Sequence, residues 1–121
     1  MKQDRFLALA KLASKKSDHH THKMGCVIVK GNKVLGTGFN LLKTHPKSPH
    51  SHKSIHAEFM AAMNAGFTLM SGSTAYIFRE HKDGTWVTAK PCQYCWKFLR
   101  ECGVKQIVYS FEGSFVTERV L

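Results

Sequence analysis

The order in which strand-like and helix-like segments follow one another leaves few folds open to this chain. Residues 3–16 place Phe6, Leu9, Ala10 and Ala13 at i, i+3, i+4 and i+7, with Leu7 and Leu12 widening the stripe, which predicts a helix packed along one face. The period then changes. MGCVIV is a short apolar run, Gly31-Asn32 is a two-residue turn signal, and KVLGTGFN resumes with β-branched and apolar residues, so a hairpin is expected from about 24 to 39. The stretch 40–54 holds two prolines and the histidines His45, His50 and His52 with little periodicity, and reads as a loop of functional length. A helix is expected over 55–65, stopped by Gly66 in a left-handed cap.

STAYIFRE reads as a further strand, HKDG as a turn and GTWVTAK as a short antiparallel edge strand. A helix is expected to open at Pro91, where a missing N–H is no loss, and to run through CQYCWKFLREC to a C-cap at Gly103. VKQIVYSF is the last clear strand, with a short C-terminal piece behind it. Strands alternating with helices in this way predict an α/β domain whose sheet has parallel neighbours joined by right-handed crossovers. No repeat or linker divides the chain, so residues 1–121 are expected to be a single domain.

Several function classes drop out on composition. The chain has no run of 18 apolar residues, and Asp4 and Lys11 interrupt any signal-peptide core, so a soluble cytoplasmic protein with no membrane partner is expected. Cys26, Cys92, Cys95 and Cys102 could make two disulfides, but a CxxC in a chain able to bury its own core favours a reducing compartment and a metal or redox role. Eighteen Lys and Arg against eight Asp and Glu give a formal charge of +10 spread along the whole sequence, which suits nucleotides, single-stranded nucleic acid, or simple solubility.

The chemistry collects at two helix starts. Residues two apart in a wound helix point roughly 200° away from each other. His56 and Glu58 therefore share a site only if His56 lies in the first, incompletely wound turn. In PCQYC, Cys92 and Cys95 are i, i+3 and fall on one face, at a helix N-terminus whose dipole favours thiolates. Taken alone, HxE at a helix start is an ordinary pattern, and a lone CxxC could be a redox pair or half of a four-cysteine knuckle. No thioredoxin-like strand order precedes the CxxC, however, and no second CxxC exists. One imidazole and two thiolates with a fourth position left to water describe a catalytic zinc site.

HAE at 56–58 followed by PCQYC at 91–95 resembles the zinc-dependent cytidine and deoxycytidylate deaminase superfamily, whose signature is H-x-E…P-C-x-x-C, and the order of helices and strands fits over nearly the whole chain. The stretch from KPC through VKQIVYS is most similar to the deoxycytidylate-type branch. The resemblance implies a three-layer α-β-α fold with a mixed central sheet of about five strands and helices on both faces. It implies zinc (Zn2+) held by His56, Cys92 and Cys95, zinc-bound hydroxide as nucleophile, and Glu58 as the proton shuttle. It also implies Asn40 and the backbone of Ala57 as substrate contacts, and a homo-oligomer converting cytosine to uracil in a small nucleoside or nucleotide such as dCMP.

Two departures bear on this. The chain is short after its last clear strand, so an element that closes the pocket in relatives is expected to be reduced, and TAKPC stands where polynucleotide-editing enzymes carry WSPC. His45, His50 and His52 have no carboxylate or cysteine nearby to finish a second metal site and read as entrance or solvated residues, with Lys43, Lys47 and Lys53 expected to meet a phosphate. Cys26 and Cys102 read as small hydrophobes, and Trp86 and Tyr94 as candidates to stack on a base. The alternatives are a deaminase acting on cytosine or adenine within nucleic acid, favoured by the charge, and a non-catalytic zinc-binding nucleic-acid module, which would have no use for Glu58.

Overall fold

The computed structural model describes residues 2–18, 22–41 and 56–120. The loop lysines and histidines between 43 and 53 lie outside that set. Three helices and five strands follow in the order α1 (Lys2–Ser14), β1 (His22–Lys30), β2 (Lys33–Phe39), α2 (Ala57–Ala65), β3 (Thr74–His81), α3 (Gln93–Glu101), β4 (Gln106–Phe111) and β5 (Ser114–Arg119). The sheet order is β2-β1-β3-β4-β5, and only β3 and β4 run parallel, joined through α3; the other three pairs are antiparallel. The three-layer mixed sheet with helices on both faces is therefore present.

Alternation along the strands sorts the core into two halves. Val27 and Val29 of β1 meet Phe6, Leu7 and Ala10 of α1 on one face, joined there by Tyr76, Phe78 and Val108. Cys26 and Ile28 face the other way, into a cluster with Ala61 and Ala62 of α2, Leu99 of α3, and Ala75, Ile77 and Ile107 of the central strands. In α1 the buried stripe runs through Phe6, Leu7, Ala10 and Ala13, while Leu12, expected to widen it, is exposed. α2 lies directly on β2. A Cβ on Gly36 or Gly38 would run into the backbone of α2 at Ala61 and Ala65, so these glycines set how closely helix and sheet approach.

Three expectations change. The C-terminal piece is a strand, β5, paired along β4 through a tight turn in which Glu112 (φ 47) and Gly113 (φ 80) both adopt positive φ. Such a turn ordinarily announces itself as Asn-Gly or Asp-Gly, and Glu-Gly hides it. The GTWVTAK segment is not a strand. It makes one isolated bridge, Glu80 to Trp86, because Val87 N–H donates to Arg79 O on β3 (3.1 Å) whereas Ala89 N–H donates to Ser110 O on β4 (2.9 Å), and a segment that changes partner builds no ladder. Finally, α3 starts at Gln93 with Cys92 as N-cap, leaving Pro91 one residue ahead of the cap. Among the described residues no helix is long and apolar enough to cross a membrane.

Candidate metal centre and active-site pocket

The starts of α2 and α3 meet beyond the C-terminal end of β3. His56 is the N-cap of α2, with extended backbone (φ −79, ψ 148), and its carbonyl accepts the first helical bond from Met60 N–H at 3.1 Å. This is the unwound geometry that lets an imidazole and the carboxylate two residues later serve one site. Cys92 caps α3 in the same manner (φ −63, ψ 165), its carbonyl accepting from Trp96 N–H at 2.9 Å. Cys92 is exposed and Cys95, one turn on, is buried.

Ligand atoms of His56, Cys92 and Cys95 all lie within 4.8 Å of one another, and Cys95 Sγ stands 3.4 Å from His56 Nδ1. In a tetrahedral zinc site the ligand atoms are roughly 3.5–3.8 Å apart, given Zn–S near 2.3 Å and Zn–N near 2.0 Å, so the donor set fits zinc with one position left for water. Burial pushes the Cys95 thiol far above its ordinary range, and the Glu58 carboxylate and the Cys92 sulfur push it further. Two sulfurs and a carboxylate gathered this closely call for a cation, which reverses that effect.

Glu58 is the first full turn's carboxylate in α2 and only 1% exposed, yet among the described residues its Oε1 has no hydrogen-bond partner. Burial raises its pKa to about 7, opposed by its own backbone and by the charge of Arg79. Beside it opens a cavity of about 310 Å³, lined by Glu58, His56, Cys92 and Asn40 together with four side chains that the sequence motifs did not single out: His22, Met24, Arg79 and Lys90. Arg79 shares the parity of Ala75 and Ile77 on β3, as His22 and Met24 share that of Cys26 and Ile28 on β1. Strand alternation carried outward from the core was the available signal.

Asn40 is anchored by both ends of its amide: Oδ1 accepts from Met24 N–H at 2.9 Å, and Nδ2 donates to His22 O at 3.1 Å. Among the described residues its second Nδ2 hydrogen has no acceptor, and Asn40 lines the cavity. Ala57 is buried with its methyl outside the cavity lining, and offers the N–H that a helix start leaves out of the ladder. Trp86 does not reach this site. It packs edge-on against Phe78 (5.0 Å between centroids) in the cluster under α1, on the opposite face of the sheet, with Lys11 Nζ above both rings. Tyr94 points outward, 57% exposed, and is absent from the cavity wall. Cys26 is buried in the core as expected, and Cys102 is a half-buried residue packed on its edge.

The model of the cytidine and deoxycytidylate deaminase zinc-binding region matches residues 1–111. The chain belongs to the cytidine and deoxycytidylate deaminase family. Within this family it is 29% identical over 121 residues to a probable deoxycytidylate deaminase of Caenorhabditis elegans, a match covering 89% of this chain and 56% of that one. It is 28% identical over 129 residues to the deoxycytidylate deaminase of Mycobacterium phage D29, covering 89% and 93%. The chain thus spans about half the length of the nematode relative and nearly all of the phage one. Among solved structures, the dCMP deaminase of cyanophage S-TIM5 superposes with a TM-score of 0.62 over 87% of this chain and 79% of that one at 23% identity, a likeness of fold. The family's zinc-binding region is the part matched, and His56, Cys92 and Cys95 are the residues positioned to hold the ion.

Proposed function

We propose that residues 1–121 form a single catalytic domain, a zinc-dependent hydrolase that converts cytosine to uracil in a small nucleotide of the dCMP type. The observation that carries this reading is Glu58: a buried carboxylate with an unpartnered oxygen, lining a cavity beside three metal ligands without being one of them. A purely structural zinc site has no use for such a group, whose burial costs free energy that only a reaction partner offsets. The relatives named above as deoxycytidylate deaminases support the substrate class.

Zinc, when bound, supplies the acidity that makes a water nucleophilic near neutral pH. The protein's own groups do the rest. Glu58 Oε1 takes the proton of the attacking water, delivers it to N3 of the ring, and assists the exocyclic amine to leave as ammonia when the C4–N bond breaks. In this reading the Ala57 N–H donates to the carbonyl of the base, and Asn40 Nδ2 to a sugar hydroxyl. Arg79 supports a nucleotide over a nucleoside. Among the described residues no carboxylate lies within ion-pair distance of its guanidinium, Glu58 feeling its charge only from farther off, and residues 42–55 contain no Asp or Glu, so a phosphate would find a donor there. A homo-oligomer acting in the cytoplasm belongs to the same proposal, with light scattering as its check.

The deciding experiment incubates zinc-loaded protein with deoxycytidine, dCMP, single-stranded DNA and transfer RNA and reads product mass. Turnover of dCMP ahead of deoxycytidine is expected, and Arg79→Gln should raise KM about tenfold or more for dCMP while sparing deoxycytidine. Deamination of an oligonucleotide alone would replace this reading with the polynucleotide one.

A further inference from the structure

Past the pair Ile77–Tyr109 the parallel ladder of β3 and β4 ends, and the segment 87–89 runs between the two strand ends. One side chain closes this junction. Ser110, fully buried at the end of β4, accepts a hydrogen bond at Oγ from Arg79 N–H (3.1 Å) and donates from the same oxygen to Val87 O (2.9 Å), while its own carbonyl accepts from Ala89 N–H (2.9 Å). A single serine thus ties the end of β3, the inserted segment and β4 together, three residues ahead of Cys92 and at the backbone of Arg79.

We propose that Ser110 is a positioning residue of the metal centre. It lies on the strand parity of Val108, facing the α1 side, and touches neither ligands nor cavity. Cys92 is exposed at the N-cap, ahead of the buried or half-buried Cys95, Trp96, Phe98 and Leu99 that seat the helix, so the course of the chain entering α3 decides where its thiol stands. Among the described residues two backbone bonds hold segment 87–89 to the sheet, and the Ser110 hydroxyl is the third tie. Without it, the half-buried Arg79 N–H and Val87 carbonyl lose their partner, and the segment that delivers Cys92 loses its register. Ligand-orienting groups beyond the ligands themselves commonly govern metal affinity in this way. The inference rests on the zinc reading of His56, Cys92 and Cys95.

The test compares Ser110→Thr with Ser110→Val, which share a shape and differ by the hydroxyl, and reads zinc affinity by competition with a chromophoric chelator alongside the melting of the metal-free protein. Ser110→Thr should bind zinc about tenfold or more tightly than Ser110→Val. Equal zinc affinities would reduce Ser110 to ordinary packing, whatever the melting temperatures do. If neither variant folds, amide exchange in the metal-free wild type decides. Slow exchange at Arg79, whose N–H donates to the Ser110 hydroxyl, upholds the tie, and exchange there as fast as in an open loop overturns it. A wild-type chain that takes up no zinc removes the zinc reading and this one together, whereas stoichiometric uptake with indifferent Thr and Val variants removes only this one.

Discussion

The starts of α2 and α3 bring ligands to the same centre by different means. In α2, six of nine residues are buried, among them Ala57, Glu58 and Phe59, and the helix lies against Gly36 and Gly38 of β2 with no room to shift. In α3 only Cys95 and Leu99 are fully buried, with Trp96 and Phe98 half-buried against the core and the Phe98 ring 5.5 Å from that of Phe59, while the remaining residues are exposed. The positions of His56 and Glu58 are therefore set by close packing, whereas that of Cys92 is set by hydrogen bonds in the segment that precedes it. The group that needs a fixed, water-poor place, the carboxylate, sits on the packed helix. The thiol, which a metal bond itself can hold, sits on the looser one.

The contrast can be broken most severely at Glu58. Glu58→Ala should cost about 10²–10⁴ in turnover while zinc content stays near one per chain, because the carboxylate moves protons and does not ligate. A variant that keeps a substantial share of activity removes that role. Next come the cysteines. Cys95→Ser and Cys92→Ser should both lower zinc, measured by elemental analysis, and thermal stability, with the larger loss at buried Cys95; equal losses would mean that α3 is as firmly seated as α2. Packing itself is probed by Gly36→Ala or Gly38→Ala, each expected to cost about 1–3 kcal/mol in denaturant melts by forcing α2 off the sheet. Lys97→Ala on the exposed face of α3 should stay within about 0.5 kcal/mol. The smallest effect is expected at Cys102→Ser, which should leave zinc content unchanged and shift stability by about 1 kcal/mol or less.

Much of this was legible before any coordinates. The HAE and PCQYC motifs pointed to His56, Cys92 and Cys95, which the fold brings close enough to hold one ion, and the requirement that His56 precede the wound part of its helix followed from helical geometry alone; the N-cap at His56 meets it. Gly66 and Gly103 marked helix ends and carry φ of 90 and 91. β5 was missed because a Glu-Gly turn is a weak hairpin signal. Trp86 was misplaced because nearness in sequence to Cys92 says nothing about which face of the sheet a side chain takes.

Local rules thus marked most of this chain's elements and the candidate residues of its site, since periodicity, caps and ligand types act within a few residues. Which cations line the cavity, why β2 carries glycines where it does, and how a serine on the far face of β4 comes to hold the approach to Cys92 depend on contacts between segments more than 20 residues apart in sequence, as Arg79 and Ser110 are at a separation of 31. Such contacts arise only when the sheet assembles, because the direction of each side chain matters through what the neighbouring strand or helix places opposite it.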